Sequence, residues 1–415
     1  MIKESVNLNS LCTKIGDGLH GTPIYEENSG YFFINGNNLT GGVIVLSNTT
    51  KEVTSSEYSR YFIELDKKTL LLSINGTIGE LAFYNDEKIM LGKSVAYLKF
   101  KTEINRYYFY YFQAPWVQKH FLNISTGSTI KNLGLVELQN FIVPHPVEEE
   151  WRPIVQTLSV LDKKIELNNQ INSELEATAK LIYDYWFVQF DFPDENGKPY
   201  KSSGGEMVYD EDLKREIPKG WGARRLSDFE PKIITGKTPS TNDKDNFEGD
   251  IPFICIGDVR GNMHVTKTEI KLTEVGAASQ ASKFIPKGAI CVTCIASPGL
   301  VAFASSESQT NQQINSVVCK RNENRYFLYF YLKDYFNFAK AKTGNTFANM
   351  NKDDFSSILL PYPKKEIVDR FSETVKSVFD NVLLNSQESN HLIELRDWLL
   401  PMLMNGQVTV SDTSN

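Results

Sequence analysis

Gly16-Asp17-Gly18-Leu19-His20-Gly21 is a literal GxGxxG, the spacing that cradles a dinucleotide pyrophosphate. That chemistry needs a helix directly after the glycines, so that its first amides meet the phosphates. Thr22-Pro23 and a polar turn follow instead. Gly92-Lys93-Ser94 and Gly236-Lys237-Thr238 look like the close of a phosphate loop, but the loop's first glycine would fall at Glu87 and Pro231. Cys291-x-x-Cys294 has half the spacing of a zinc site, and no second pair follows. It lies in an apolar run and reads as buried strand cysteine. The histidines (20, 120, 145, 264 and 391) form no ligand cluster and have no nucleophile beside them. The chain contains no Pro-Pro, so it lacks the Asn-Pro-Pro-aromatic stretch that holds a flipped base in amino-methyltransferases. No catalytic constellation and no metal site emerge, and the chain reads as a non-catalytic protein.

What the sequence does carry is periodicity. Ile154, Leu158, Leu161, Ile165, Asn168, Asn172, Leu175, Ala179, Ile182 and Trp186 step by four and three. That 3.5-residue period is the seam of a coiled coil. Pro153 suits a first helical turn, and Glu148-Glu149-Glu150 before it suits the positive end of the helix dipole. A shift of 217 positions finds the seam again: Phe371, Val375, Val378, Val382, Asn385, Ser389, Leu392, Arg396, Leu399 and Leu403. The polar break recurs, Asn168 against Asn385, where an asparagine fixes register at some cost in stability. The two helices are expected to pair within the chain, each about 50 Å long at about 1.5 Å per residue.

The rest of the chain repeats with them. Gly21-Thr22-Pro23 answers Gly236-Lys237-Thr238-Pro239, and Phe33-Ile34-Asn35-Gly36-Asn37 answers Phe253-Ile254-Cys255-Ile256-Gly257-Asp258. Thr69–Phe83 answers Ala289–Phe303, and Asn105-Arg106-Tyr107 answers Asn324-Arg325-Tyr326. Thr126-Gly127-Ser128-Thr129 answers Thr343-Gly344-Asn345-Thr346, and Val143-Pro144-His145-Pro146 answers Leu360-Pro361-Tyr362-Pro363. Short apolar runs broken by Gly, Asn and Thr predict strands, with one aromatic helical patch per half. The expectation is an α+β fold: two similar mostly-β globular domains joined by two long antiparallel helices that form an intramolecular coiled coil, an internal repeat with a pseudo-two-fold axis. The expected boundaries are 1–150 and 221–363 for the two heads, 151–190 and 364–406 for the helices, 191–220 for a Gly/Ser/Pro-rich linker and 407–415 for a flexible tail.

Composition bounds the class. With 415 residues, 41% hydrophobic and 23% charged, the chain exceeds one core and is globular in make-up. Its first residues have no apolar core of a signal peptide, the apolar runs are too short for a bilayer, and the cysteines are few and scattered, so a cytoplasmic, membrane-free protein is expected. The net charge of −7 argues against a simple nucleic-acid binder, yet residues 221–363 carry a basic excess while the helices and the 191–220 stretch hold the acid.

As a set, the segments Thr126–Leu133, Val143-Pro144-His145-Pro146, Leu161-Asp162-Lys163-Lys164-Ile165, Glu206-Met207-Val208 and Arg215–Trp221 resemble the specificity subunit of type I restriction–modification systems. The second copy departs at Asn345, where the first has Ser128, and at Ala348, where it has Lys131. The resemblance implies two target-recognition domains, each reading one part of a bipartite site on double-stranded DNA. It implies helices that set the spacing and dock methyltransferase subunits, two being expected. Separate restriction and translocase subunits would join them, and S-adenosylmethionine, Mg and ATP would be held by those partners rather than by this chain. Base edges and phosphates are read by Arg, Lys, Asn, Gln, Ser and Thr. The candidate DNA-binding residues are Thr22, Asn35, Asn37, Asn38, Ser128, Thr129, Lys131 and Asn132 in the first head, and Lys237, Thr238, Asp258, Arg260, Asn345, Thr346 and Asn349 in the second. Any of them could equally bond its own turn. The other class is a two-headed, non-catalytic scaffold for protein or glycan, which the acidic charge fits; steep salt dependence of binding separates the two.

Overall fold

The computed structural model describes residues 4–343 and 349–410. The chain forms two compact units: one holds the N-terminal half through Lys163 with the chain from Ile393 onward, the other holds Lys164–Leu392.

In the first unit Cys12–Asp17, Val95–Phe100, Thr69–Ser73 and Leu81–Phe83 form an antiparallel sheet in that spatial order. Phe32–Ile34 pairs in parallel with Ile89–Leu91, and Ser5–Asn7 pairs antiparallel with Ile142–Pro144. The second unit repeats these pairings. Ile233–Thr235, Ile314–Val317, Ile290–Thr293 and Val301–Ala304 lie in the same order, with His264–Val265 added at the edge. Phe247–Ile254 pairs in parallel with Gln309–Thr310, and Ala223–Arg225 antiparallel with Leu359–Pro361. The central strands are buried on both faces, which is why Leu70-Leu71-Leu72 and Ile290-Cys291-Val292 read as unbroken apolar runs.

The aromatic patches are core. They form helices Asn105–Gln113 and Pro115–Ile124 in the first unit, broken at Ala114 because the residue before a proline avoids the helical region. The second unit has one helix, Asn324–Thr343. Tyr107, Phe112, Phe327 and Phe330 are fully buried.

The long helices are Glu148–Tyr183, continued by a π-helical turn Asp184–Val188, and Lys365–Met404. The first begins earlier than expected. Glu148, Glu149 and Glu150 fill its first turn, where carboxylates meet the helix dipole. Pro153 therefore lies inside the helix, not at its start, and removes one N–H from the ladder.

Two expectations about modules need correction. Heads and helices were expected as separate segments, but each unit combines a head with parts of both helices. The reason is packing. Ile154, Val155, Leu158, Leu400, Leu403 and Met404 belong to the first head's core. Ala179, Tyr183, Trp186, Val368, Phe371 and Val375 belong to the second's. Equivalent tyrosines reinforce this: Tyr110 donates to Asp162 at 2.6 Å, and Tyr329 to Glu176 at 2.8 Å.

Residues 191–220, expected as a linker, are folded. Met207–Asp210 and Arg215–Pro218 form a hairpin. Phe192 stacks on Trp221 with ring centroids 5.5 Å apart, and Phe190 meets the same indole edge-on. The Gly, Ser and Pro residues shape turns between these anchors, as where Asp191 accepts from the amide and hydroxyl of Ser202. Of the expected tail, Val410 packs against the first core, and residues 411–415 lie outside the described residues.

Within the second unit the helices run antiparallel around a polar layer. Asn168 is 1% exposed; its Nδ2 donates to Glu388 at 2.8 Å and lies 3.3 Å from Ser389 Oγ. Asn385 donates to Asn172 at 2.9 Å, and Asn172 to Ser386 at 3.2 Å. Within the first unit the same pairing direction sets Arg396 against Asp162 at 2.9 Å.

Replacing Trp221 by Ala should destabilise the second unit by about 3–5 kcal/mol in urea unfolding, the usual cost of truncating a buried aromatic. A loss below about 1 kcal/mol would mean that the 189–221 segment does not hold the core.

Candidate nucleic-acid interface

In each unit three segments meet at one end of the sheet: the chain after the first strand, the chain before the strand paired with it, and the turn that joins Thr69–Ser73 to Leu81–Phe83 or Ile290–Thr293 to Val301–Ala304. The turn is built alike in both. Ser73 Oγ accepts from the Glu80 amide at 2.8 Å, and Thr293 Oγ1 accepts from the Leu300 amide at 2.9 Å. Gly79 and Gly299, at φ +99° and +87°, close the two turns in a conformation that other residues rarely adopt.

In the first unit this turn gathers other segments. Gly36 lies against Ser73, and a side chain there would sit 3.0 Å from Ser73 Cβ. Asn75 Nδ2 donates to Asn132 Oδ1 at 3.1 Å, and the Gly76 amide donates to the Lys131 carbonyl. Thr126 and Asn132 exchange backbone hydrogen bonds, which closes residues 126–132 into a small loop beside the turn. Ser94 donates to Asn35 Oδ1 and accepts from the Gly36 amide. The Leu19 amide donates to the Leu91 carbonyl, and the Lys93 amide to the Leu19 carbonyl.

The second unit assembles the matching loops. The Lys237 amide donates to Thr310, and Thr238 donates to Gln312 at 2.5 Å. Arg260 Nη2 lies 3.3 Å from Ser297 Oγ. The Ala296 amide, at φ +63° where the first unit has Gly76, donates to Asn349 Oδ1 at 3.2 Å. Met350 and Gln313 both bond the Cys294 backbone.

Several predicted residues serve their own loops. The Asn38 side chain accepts from the Asn35 amide, and Asp258 in the equivalent place accepts from the Cys255 amide at 2.7 Å, each a short capping box. Asp258 also accepts from Glu269. Thr22, Asn37, Ser128, Thr129, Lys131, Lys237, Arg260 and Asn349 present exposed side chains, while Asn132 and Thr238 are half-buried. Asn345 and Thr346 lie outside the described residues. Sequence reasoning passed over Asn75, Lys93, Ser94, Ser297 and Gln312, which the fold brings to the same place. Position at a repeated strand end was the signal available for them.

The floor is chemically quiet. Burial pushes the Cys294 thiol up to about 11, and burial with Asp258 nearby holds Cys255 at about 11, so neither forms a nucleophilic thiolate near neutral pH. Among the described residues no His, Cys, Asp or Glu group is arranged to hold a metal ion. The arrangement suits hydrogen-bond and charge recognition.

The profile of the type I restriction modification DNA specificity domain matches the chain twice, at residues 3–177 and 218–394. The chain belongs to that family of specificity subunits. It is 36% identical to the type I restriction enzyme HindI specificity subunit of Haemophilus influenzae over 339 residues, 68% of this chain and 72% of that one. It is 26% identical to the type I restriction enzyme MjaIX specificity subunit of Methanocaldococcus jannaschii over 330 residues, 74% of this chain and 70% of that one. The crystal structure of the type I restriction–modification S subunit from M. genitalium shares the fold, with a TM-score of 0.56 at 16% identity over 97% of this chain and 96% of that one.

Asn75→Ala and Asn132→Ala should each cost about 1 kcal/mol in urea unfolding, and the double variant less than their sum, because one hydrogen bond is lost in both. Strict additivity would show that the two loops are not joined through this pair.

Proposed function

We propose that this chain is the sequence-reading subunit of a type I restriction–modification complex, with each head reading one half of a bipartite site on double-stranded DNA. The observation that carries this reading is the pair of equivalent loop clusters, one per head, in a chain whose two halves both match the specificity domain. Lys131 and Lys93 in the first head and Lys237 and Arg260 in the second supply donors for phosphates and guanine edges; Asn37, Ser128, Thr129 and Asn349 supply shorter polar side chains.

The long helices set the distance between half-sites and dock methyltransferase subunits. Beside their seam they keep large apolar side chains exposed: Leu167, Ile171, Leu181 and Leu384 in one unit, Val160 and Trp398 in the other. A helix face of that kind needs a partner. Two methyltransferase subunits, one for each half of the repeat, fit the internal duplication. Those subunits bring S-adenosylmethionine, and restriction subunits bring Mg and ATP hydrolysis. No helix among the described residues is long and apolar enough to cross a membrane, and on this reading the assembly works in the cytoplasm.

Exchanging residues 1–150 for the head of a relative with another target should change one half of the site methylated by the reconstituted complex and leave the other intact. A change in both halves would refute independent heads. Arg260→Ala should weaken binding by about 1–3 kcal/mol and relax one half-site only. Affinity should also fall steeply as salt rises; salt-independent binding to protein or glycan would favour the scaffold reading.

A further inference from the structure

A second concave site lies at the opposite end of the second unit's sheet, where the strand Val301–Ala304 ends. It is a cavity of about 210 Å³ whose polar lining is His264, Lys287, Ser305, Arg325 and Asp380, with Phe303 and Phe379 as apolar walls. Three of these residues carry a buried polar atom that has no hydrogen-bond partner: His264 Nε2, Ser305 Oγ and Arg325 Nε. Leaving one such atom unsatisfied is costly, and three around one cavity point to a ligand that satisfies them.

The charges give its sign. Lys287 and Arg325 oppose the single carboxylate of Asp380, so the lining has an excess of positive charge. The Arg325 guanidinium is positioned: Nη2 donates to Tyr326 OH at 2.5 Å, and Gly288, at φ +85°, leaves room for it where a side chain would sit 3.1 Å from Nη1. The volume falls below the roughly 300 Å³ of pockets that take drug-sized ligands, so the site suits one small anion.

The histidine gives the ligand's protonation. Burial, with Arg325 and Lys287 adding to it, holds the His264 imidazole down at about 4, so the ring is neutral near pH 7. It bonds the Phe379 backbone, where the helical amide is already committed, so the ring donates to the carbonyl. The unpartnered Nε2 is then the acceptor of the neutral ring and needs a donor from the ligand.

We propose that this cavity binds hydrogen phosphate, with Arg325 and Lys287 meeting the charged oxygens, Ser305 donating to one of them and His264 Nε2 accepting from the P–OH. Sulfate has the same shape but carries no proton near neutral pH, so it leaves His264 unsatisfied. The cavity stands away from the loops assigned to DNA, and its occupant is a free anion rather than a backbone phosphate.

The first unit holds a built-in comparison. Lys67, Phe83, Asn85 and Arg106 line a cavity of about 350 Å³ at the equivalent place, but Val43 and Ile44 stand where the second unit has His264, and Glu87 joins the wall. The cationic pair repeats and the acceptor does not, so this cavity should not select phosphate.

Isothermal titration of the full chain at neutral pH and constant ionic strength, first with sodium phosphate and then with sodium sulfate, tests the proposal. Phosphate should bind saturably and sulfate at least about tenfold more weakly, because one hydrogen bond is unmade. Lys287→Gln and Arg325→Gln should each weaken phosphate about tenfold, and Lys67→Gln should leave it unchanged. Lys287 lies on an exposed turn, so its variant decides the matter even where Arg325→Gln does not fold. No phosphate binding, sulfate binding as tightly, an unchanged Lys287→Gln, or an equal loss in Lys67→Gln would each overturn the site.

Discussion

A buried polar layer governs the pairing of the long helices. Asn168 is buried at the seam, and its amide has partners only in the register seen here, with Glu388, Ser389 and the Asn385 carbonyl. A slip by one heptad would bury that amide against apolar side chains, at the cost of an unsatisfied donor. Asn172, Asn385 and Ser386 extend the layer by one turn. The exposed pair Lys164 with Glu388 adds little by comparison, since solvent screens it. An apolar seam would be more stable but would tolerate sliding. The polar layer makes the opposite compromise and fixes the register at some cost in stability.

Each head takes its place from the helices through packing. The N-terminal part of the first helix and the C-terminal part of the second enter the first core; the C-terminal part of the first and the N-terminal part of the second enter the second core. Within each unit the head thus shares its core with helix segments, while the loops at the ends of its short buried strands differ between the units. Residues 126–132 and 349–350 dock on the equivalent turn in the two units, yet one does so through Asn75 with Asn132 and the other through Ala296 with Asn349. The scaffold is repeated and the reading surface is not, as two different half-sites require.

Much of this was legible in the sequence, for physical reasons. Seam spacing and the paired asparagines follow from helix geometry, and unbroken apolar runs such as Leu70-Leu71-Leu72 mark doubly covered strands. The folded segment 189–221 was not legible, because its anchors, Phe190, Phe192 and Trp221, are a few residues among many polar ones. Pro153 misled because proline is tolerated inside a helix whose packing outweighs one missing bond. Among the candidate readers, residue type could not distinguish Asn38 and Asp258, whose carboxyl or amide oxygens cap their own loops, from Asn37 and Arg260, which face outward. Asn75 and Ser94 carried no motif, and only the fold brings them to the site.

If the helices are a ruler, their length must appear in the DNA. Deleting one heptad from each helix, on either side of the intact asparagine layer, removes about 10 Å of rod. The reconstituted methyltransferase complex should then modify a site whose gap is shorter by about three base pairs, at 3.4 Å per pair. Modification of the original gap, with both helices verified as folded, would contradict the account.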